Sequence, residues 1–307
     1  MGMQWDGLLR NLGDWYGGFE RIEPRTGDRL GREPSLVSLR TPDGGKTVVQ
    51  RIRRASGPIA DWEDPNVQGL LCDRQLFISS LGRGFMALPS GAFSQGSTQL
   101  GPFAEFGAEL GLIEGDRRVR LVMRFDRGGA LEPMTLMPEW RGEGPAWGDD
   151  ESGSKSGSGA IASGAPGENL LAALVGTWRG ETMTVYPDFR PSDRGSCELT
   201  VARSGADGSA IEQCLTFEWA MGSGTVRSRG HFDGHRIRFE GIEGRAVQVL
   251  LLKDGISANC PEQVQLRQPF VLELGWLVAP NRRRRLVRHY DASGAWTSLT
   301  EIVEEKV

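Results

Sequence analysis

Arg282–Glu304 reads RRRRLVRHYDASGAWTSLTEIVE, and 165 positions earlier Arg117–Glu139 reads RRVRLVMRFDRGGALEPMTLMPE, identical at ten of 23 positions. Chance gives roughly one or two identities in such a window, so the chain is an internal duplication. In each copy a short alternating run (121–125; 286–290) meets a D-x-x-G turn at Asp126–Gly129 or Asp291–Gly294, and a second β-forming run leaves it. That order predicts a hairpin, made twice.

Working outward, Gly13, Trp15 and Gly17 recur as Gly176, Trp178 and Gly180, an offset of 163, and Pro24 recurs as Pro187. At that offset Leu36, Arg40 and Gln50 fall on Leu199, Arg203 and Gln213, while LPSGAFS from Leu88 matches LKDGIS from Leu252. Leucines at helical spacing from Leu8 and from Leu170 predict one or two helical turns before each G-x-W. Strands are expected at 46–54, 69–81 and 84–88, each bounded by Gly, Pro or Asp. Forty-three glycines and sixteen prolines in 307 residues, with short apolar runs, point to an all-β chain of many strands and turns. The stretch 148–167 is Gly/Ser-rich and cannot offset its own ordering entropy, so it is expected to be a flexible linker between domains at 1–147 and 168–307. Both tryptophans of the repeated motif are expected to plug the closed end of a barrel.

Several function classes recede on composition. A net charge of −4 with interleaved signs does not suit a nucleic-acid partner. No run approaches the 18 or so apolar residues of a membrane span, and the N-terminal stretch lacks a signal pattern, which reads as cytoplasmic. Cys72, Cys197, Cys214 and Cys260 have no C-x-x-C spacing and read as reduced thiols. His231, Asp233 and His235 form H-x-D-x-H around a predicted two-residue turn, in which Phe232 would face His235 and His231 would face Arg236; the imidazoles are then only diagonal neighbours, and no metal is expected. Neither a Walker motif nor a G-x-S-x-G elbow is present, so no catalytic residue is assigned.

The G-x-W after a short helix resembles the opening signature of the lipocalin or calycin superfamily. The whole chain, with its paired G-x-W and R-x-Y-D-x-x-G-x-W-x-S-x-T ends, resembles a tandem calycin family of unknown function from cyanobacteria and plastids. That resemblance implies two tandem lipocalin-like antiparallel β-barrels, each preceded by a short helix. The stretch Glu273–Arg285, ELGWLVAPNRRRR, is similar to the E-x-x-W-F-A-S-P-N-x-R-x-R stretch of S-type phycobiliprotein lyases, with Glu273, Trp276, Pro280, Asn281, Arg283 and Arg285 matching. The N-terminal copy keeps Glu109, Gly111, Arg118 and Arg120 but has Leu112 for the tryptophan and lacks the Pro-Asn pair.

This second resemblance implies a bilin or other tetrapyrrole ligand, a phycobiliprotein client, and a chromophore chaperone or lyase-like factor without a covalent nucleophile or required cofactor. Glu273, Trp276, Arg283, Arg285, Tyr290 and Trp296 are the candidate ligand residues. A propionate-bearing conjugated ligand needs guanidinium forks, aromatic walls and a carboxylate for pyrrole N–H groups. In that scheme the turn at Pro280 and Asn281 makes Glu273 and Arg283 cross-strand neighbours in the barrel mouth. Two alternatives stand beside it. Arg282–Arg285 can be a solvated loop with one barrel-closing arginine stacked on Trp178. The protein can also be a carrier of an apolar ligand such as a carotenoid or fatty acid, or a structural assembly factor for the photosynthetic apparatus.

Overall fold

A computed structural model describes residues 2–54, 70–81, 84–141, 166–219, 222–240 and 246–307. The fold is nearly all-β. Helix α1 (Gly2–Leu9) precedes β1 (Gly13–Ile22), β2 (Arg29–Arg40), β3 (Thr47–Arg54), β4 (Leu70–Phe77), β5 (Phe85–Ala87), β6 (Phe93–Gly96), β7 (Phe106–Glu114), β8 (Arg117–Phe125) and β9 (Met134–Arg141). Helix α2 (Pro166–Leu174) precedes β10 (Gly176–Val185), β11 (Asp193–Ser204), β12 (Ala210–Trp219), β13 (Gly222–Phe232), β14 (Arg236–Glu240), β15 (Ala246–Leu251), β16 (Ile256–Pro261), β17 (Phe270–Ala279), β18 (Arg282–Tyr290) and β19 (Trp296–Lys306). Strands β10 to β19 close into a ten-stranded antiparallel barrel.

The N-terminal half departs from the expected second barrel. Its nine strands form one curled sheet, β4-β3-β2-β1-β9-β8-β7-β6-β5, whose end strands do not pair among the described residues. Helix α1 also begins earlier than the leucine spacing from Leu8 suggests, at Gly2, and burial of Trp5 and Leu8 explains it. The expected linker lies outside the described residues except for its last two, which open α2.

The repeated G-x-W-x-G has a role at each position. Gly13 and Gly176 leave the helix with φ of 119° and 128°, where a Cβ is strained. Trp15 and Trp178 are fully buried, and each indole N–H donates at 2.8 Å to the carbonyl four residues back, Asn11 just beyond α1 or Leu174 at the end of α2. At Gly17 and Gly180 a Cβ would sit 2.7 Å and 2.6 Å from Cγ of Glu139 and Glu304, so glycine makes room for a buried carboxylate. The repeat register also corrects one alignment: Trp15 faces Val37 and Trp178 faces Leu199, so Val37, not Leu36, is the counterpart of Leu199.

The duplicated D-x-x-G hairpins do more than turn the chain. Leu100 N donates to Gly294 O at 2.8 Å, and Val264 N donates to Gly129 O at 2.8 Å. Gln99 pairs with Ala295 as Gln263 pairs with Ala130. The side chain of Gln99 reaches Ser293 O, as that of Gln263 reaches Gly128 O. Arg282 binds Glu114, and Arg117 reciprocates on Val278 O. Phe106 and Phe270, equivalent by register, meet edge to face at 5.5 Å. The hairpin contacts are made twice with the halves exchanged, and Phe106 meets its own equivalent between them, the signature of an isologous interface within one chain. Its centre is a single apolar core in which Leu110, Leu112 and Leu121 pack with Leu272, Leu274 and Leu286.

Candidate functional site

Alternation along β17 and β18 divides the candidate residues between two places. Glu273, Arg283 and Arg285 point into the barrel, where with Gln213 and Asn259 they line a cavity of about 50 Å³. Trp276, Tyr290 and Trp296 point the other way, into the core shared with the N-terminal half. There Arg117 stacks over Trp276 at 5.1 Å, Tyr290 stacks on Phe270 at 4.7 Å, and Arg288 lies 3.4 Å over Trp296. The six residues therefore do not converge on one ligand. Three are lumenal and three are interfacial.

Nor are Glu273 and Arg283 partners. Glu273 faces Val287 in the ladder, and its carboxylate accepts from Arg285 Nε at 2.6 Å. Arg283 instead donates from Nε to Glu304 at 2.7 Å, and Arg285 Nη1 reaches the other Glu304 oxygen at 3.1 Å. Arg283 also lies 4.8 Å over the ring of Trp178, whose other cationic neighbour is Lys306 at 5.4 Å. The tetrad of two arginines and two glutamates is charge-balanced and buried. Burial alone raises a carboxyl, yet Arg285 beside Glu273, and Arg283 and Arg285 beside Glu304, hold both below the usual carboxylate range. Burial likewise opposes the charge on Arg285, and the two carboxylates outweigh it. The arginine run is thus strand and not solvated loop, and the expected barrel-closing stack on Trp178 is made by Arg283.

The same constellation occurs in the N-terminal half. Arg118 donates to Glu139 at 2.6 Å and stacks 4.3 Å over Trp15, with Arg141 against that ring at 4.4 Å. Arg120 bridges Glu139 and Glu109, at 2.7 Å each. Glu304, absent from the candidate set, was legible as the partner of Glu139 at an offset of 165.

Toward the open end the C-terminal lumen turns apolar. Cys197, Val287 and Ile302 are buried against Leu215, Phe217 and Val271. Phe217 and Trp219 stack at 4.6 Å, yet Trp219 is 38% exposed and Val226, opposite Leu215, is 51% exposed. Among the described residues β13 pairs with β14 only over Gly230–Phe232, while β12 stays paired with β11 up to Trp219, so the β13 side of the β12–β13 hairpin forms a free lip. His289 sits on this wall with Nδ1 3.2 Å from Ser298 Oγ, and burial pushes its pKa down to about 4 despite Glu273 nearby. All four cysteines are free thiols; burial, then Glu304, pushes Cys197 up to about 11.

The H-x-D-x-H stretch has a register other than the one expected. Phe232 faces Ile237 and His231 faces Arg238, because residues 233–236 form a four-residue turn closed by Asp233 N to Arg236 O at 3.1 Å. His235 then lies inside the turn, 3.2 Å from Asp233 and packed on Gly27. No helix among the described residues is long and apolar enough to cross a membrane.

Comparison with known proteins sets this geometry in a family. Residues 1–143 match the domain of unknown function DUF3598, N-terminal, and residues 168–307 match the C-terminal domain of biogenesis factor required for ATP synthase 1. Among solved structures, a DUF3598 family protein of unknown function from Nostoc punctiforme is 34% identical, with 100% of each chain covered and a TM-score of 0.80. The S-type phycobiliprotein lyase CPES from Guillardia theta is 11% identical, covering 46% of this chain and 92% of its own, with a TM-score of 0.38. No curated protein matches the chain.

Proposed function

The chain belongs to the DUF3598 family, and from that premise we propose that it is a non-catalytic assembly factor that holds a client protein at the lip of its C-terminal barrel. The observation that carries this reading is the self-satisfied lumen. Ligand pockets for drug-sized molecules run from about 300 to 1,000 Å³, whereas this cavity of about 50 Å³ takes a few waters. Its charged groups are already paired with one another, so a tetrapyrrole would have to displace the Arg–Glu tetrad. The apolar surface left available faces outward, at Trp219 and Val226, and exposed apolar residues on a projecting hairpin suit a protein partner. The match of 168–307 to a domain named for ATP synthase biogenesis supports subunits of that enzyme as the client class.

A second reading keeps the bilin. One observation favours it: the stacked Phe217–Trp219 pair is a flat aromatic wall beside the upper lumen, where a conjugated ligand can lie without entering the tetrad. The test is immobilised full-length chain offered purified ATP synthase subunits, with a parallel absorption titration by a bilin. The assembly reading expects a retained subunit, lost in a Trp219→Ser/Val226→Ser variant of unchanged melting temperature. A bilin spectral shift with no retained subunit moves the conclusion to the second reading, and neither result leaves both refuted.

A further inference from the structure

The two halves carry the same buried tetrad, but they do not carry the same charge. In the C-terminal barrel Arg283 and Arg285 are matched by Glu273 and Glu304, and the neighbouring lumenal side chains Gln213, Ser228 and Asn259 are neutral. In the N-terminal sheet Arg118 and Arg120 are matched by Glu139 and Glu109 in the same way. There Gln50 and Gln95 take the places of Gln213 and Asn259, since Gln95 faces Glu109 as Asn259 faces Glu273. The third neighbour differs. Gln50 faces Arg74, where Gln213 faces Ser228, so among the described residues the N-terminal cluster has three guanidiniums against two carboxylates.

Among the described residues no carboxylate pairs with Arg74. Arg74 donates Nε to Gln50 Oε1 at 2.6 Å and Nη2 to Gln95 Oε1 at 2.7 Å, both amide oxygens. Gln95 passes its own N–H to Glu109, so that carboxylate is shared between Gln95 and Arg120. Arg118 is 2% exposed, and its Nη2 has no acceptor among the described residues. Arg74, Arg118, Gln50 and Gln95 line one cavity of about 20 Å³. That is room for a single group the size of water or a halide. A buried cation without a counter-charge is costly, whereas a guanidinium fork matched to a monoanion is stabilising.

We propose that this cavity is a binding site for one small monoanion, either a halide or the carboxylate group of a small ligand, held between Arg74 and Arg118. The anion brings the cluster to the neutrality its C-terminal counterpart has without it. Burial, with Arg120 beside it, lowers the pKa of Arg118 to about 10, whereas Glu139 and Glu109 keep that of Arg120 raised.

The test uses the full chain in bromide, in formate and in methanesulfonate, which is too large for the cavity, at equal ionic strength. Bromide and formate are expected to raise the melting temperature over methanesulfonate by about 3 °C once roughly tenfold above their Kd. A bromide-soaked crystal is expected to show an anomalous peak between Arg74 and Arg118. Arg74→Ser, which copies the C-terminal arrangement, should abolish both. A response to formate alone assigns the site to carboxylates, and a response to both assigns it to small monoanions generally. Equal melting in all three salts with no bromide peak overturns the proposal, as does an undiminished anion effect in Arg74→Ser. Should that variant fail to fold, the wild-type salt comparison and the peak still decide.

Discussion

Replacing Arg283 with Gln separates a structural arginine from a ligand clamp. Its side chain is 7% exposed and its partner Glu304 is fully buried, at 2.7 Å. Breaking a buried pair costs about 3–5 kcal/mol, because the surviving charge is left without compensation. Glu304 keeps Arg285 at 3.1 Å, which moves the expectation to the lower end, and loss of the guanidinium over Trp178 restores about 1 kcal/mol to the deficit. The sum is about 3–4 kcal/mol. For a chain of this size about 2–4 °C accompanies each kcal/mol, so the melting temperature should fall by roughly 6–16 °C. Thermal melts followed by circular dichroism measure it. Arg179→Gln is the control: its pair with Glu198 is as short, 2.7 Å, but the side chains are 67% and 43% exposed, and exposed pairs contribute about 0–1 kcal/mol. A clamp held out for a ligand, partly exposed as the sequence suggests, would leave stability nearly unaltered. Equal melting shifts for the two variants would refute the structural assignment.

Acid sensitivity should have two separable parts. Between the ordinary His pKa and about 4 the unfolded chain binds a proton that folded His289 refuses, so stability falls as pH is lowered through that window, by up to about 3 kcal/mol. Denaturant titrations from pH 7 to 4.5 should show the slope, and His289→Asn should remove it. Glu139, Glu273 and Glu304 have folded pKa values below their unfolded ones, so their contribution is present above about pH 4.5 and is lost as pH falls further. A protease cut within 148–167 is expected to yield two fragments that still elute together in gel filtration, because the halves share one apolar core; fragments eluting separately would count against that interface.

How far the sequence could be read follows from what period-two alternation can carry. The hairpin at Asp291–Gly294, the two buried tryptophans and the paired helices rest on local signals: a turn residue, a glycine at positive φ, a spacing of leucines. Those positions have one solution each. The curled N-terminal sheet was not legible in the same way. Its copy of the repeat retains the buried Arg118, Arg120 and Glu139, and whether the end strands meet depends on the lengths and stagger of β4 and β5, which no side-chain pattern encodes.

The division of the six candidate residues shows the same limit more sharply. Alternation tells which residues of β17 share a face, so Glu273 is separated from Trp276 as soon as strand is assigned. It does not tell what that second face meets. In β17 and β18 both faces are buried, one by the lumen and one by the other half of the chain, and the run from Leu272 to Val278 is inaccessible throughout. A strand covered on both sides loses its polar side, the cue that distinguishes inside from outside. Aromatic residues at Trp276, Tyr290 and Trp296 then look like ligand walls when they are walls against Arg117, Phe106 and Arg288. The duplication itself held the missing cue. An isologous contact calls on the same surface of both copies, so residues repeated at the D-x-x-G hairpins, where no core of either sheet needs them, identify the face on which the two copies pack.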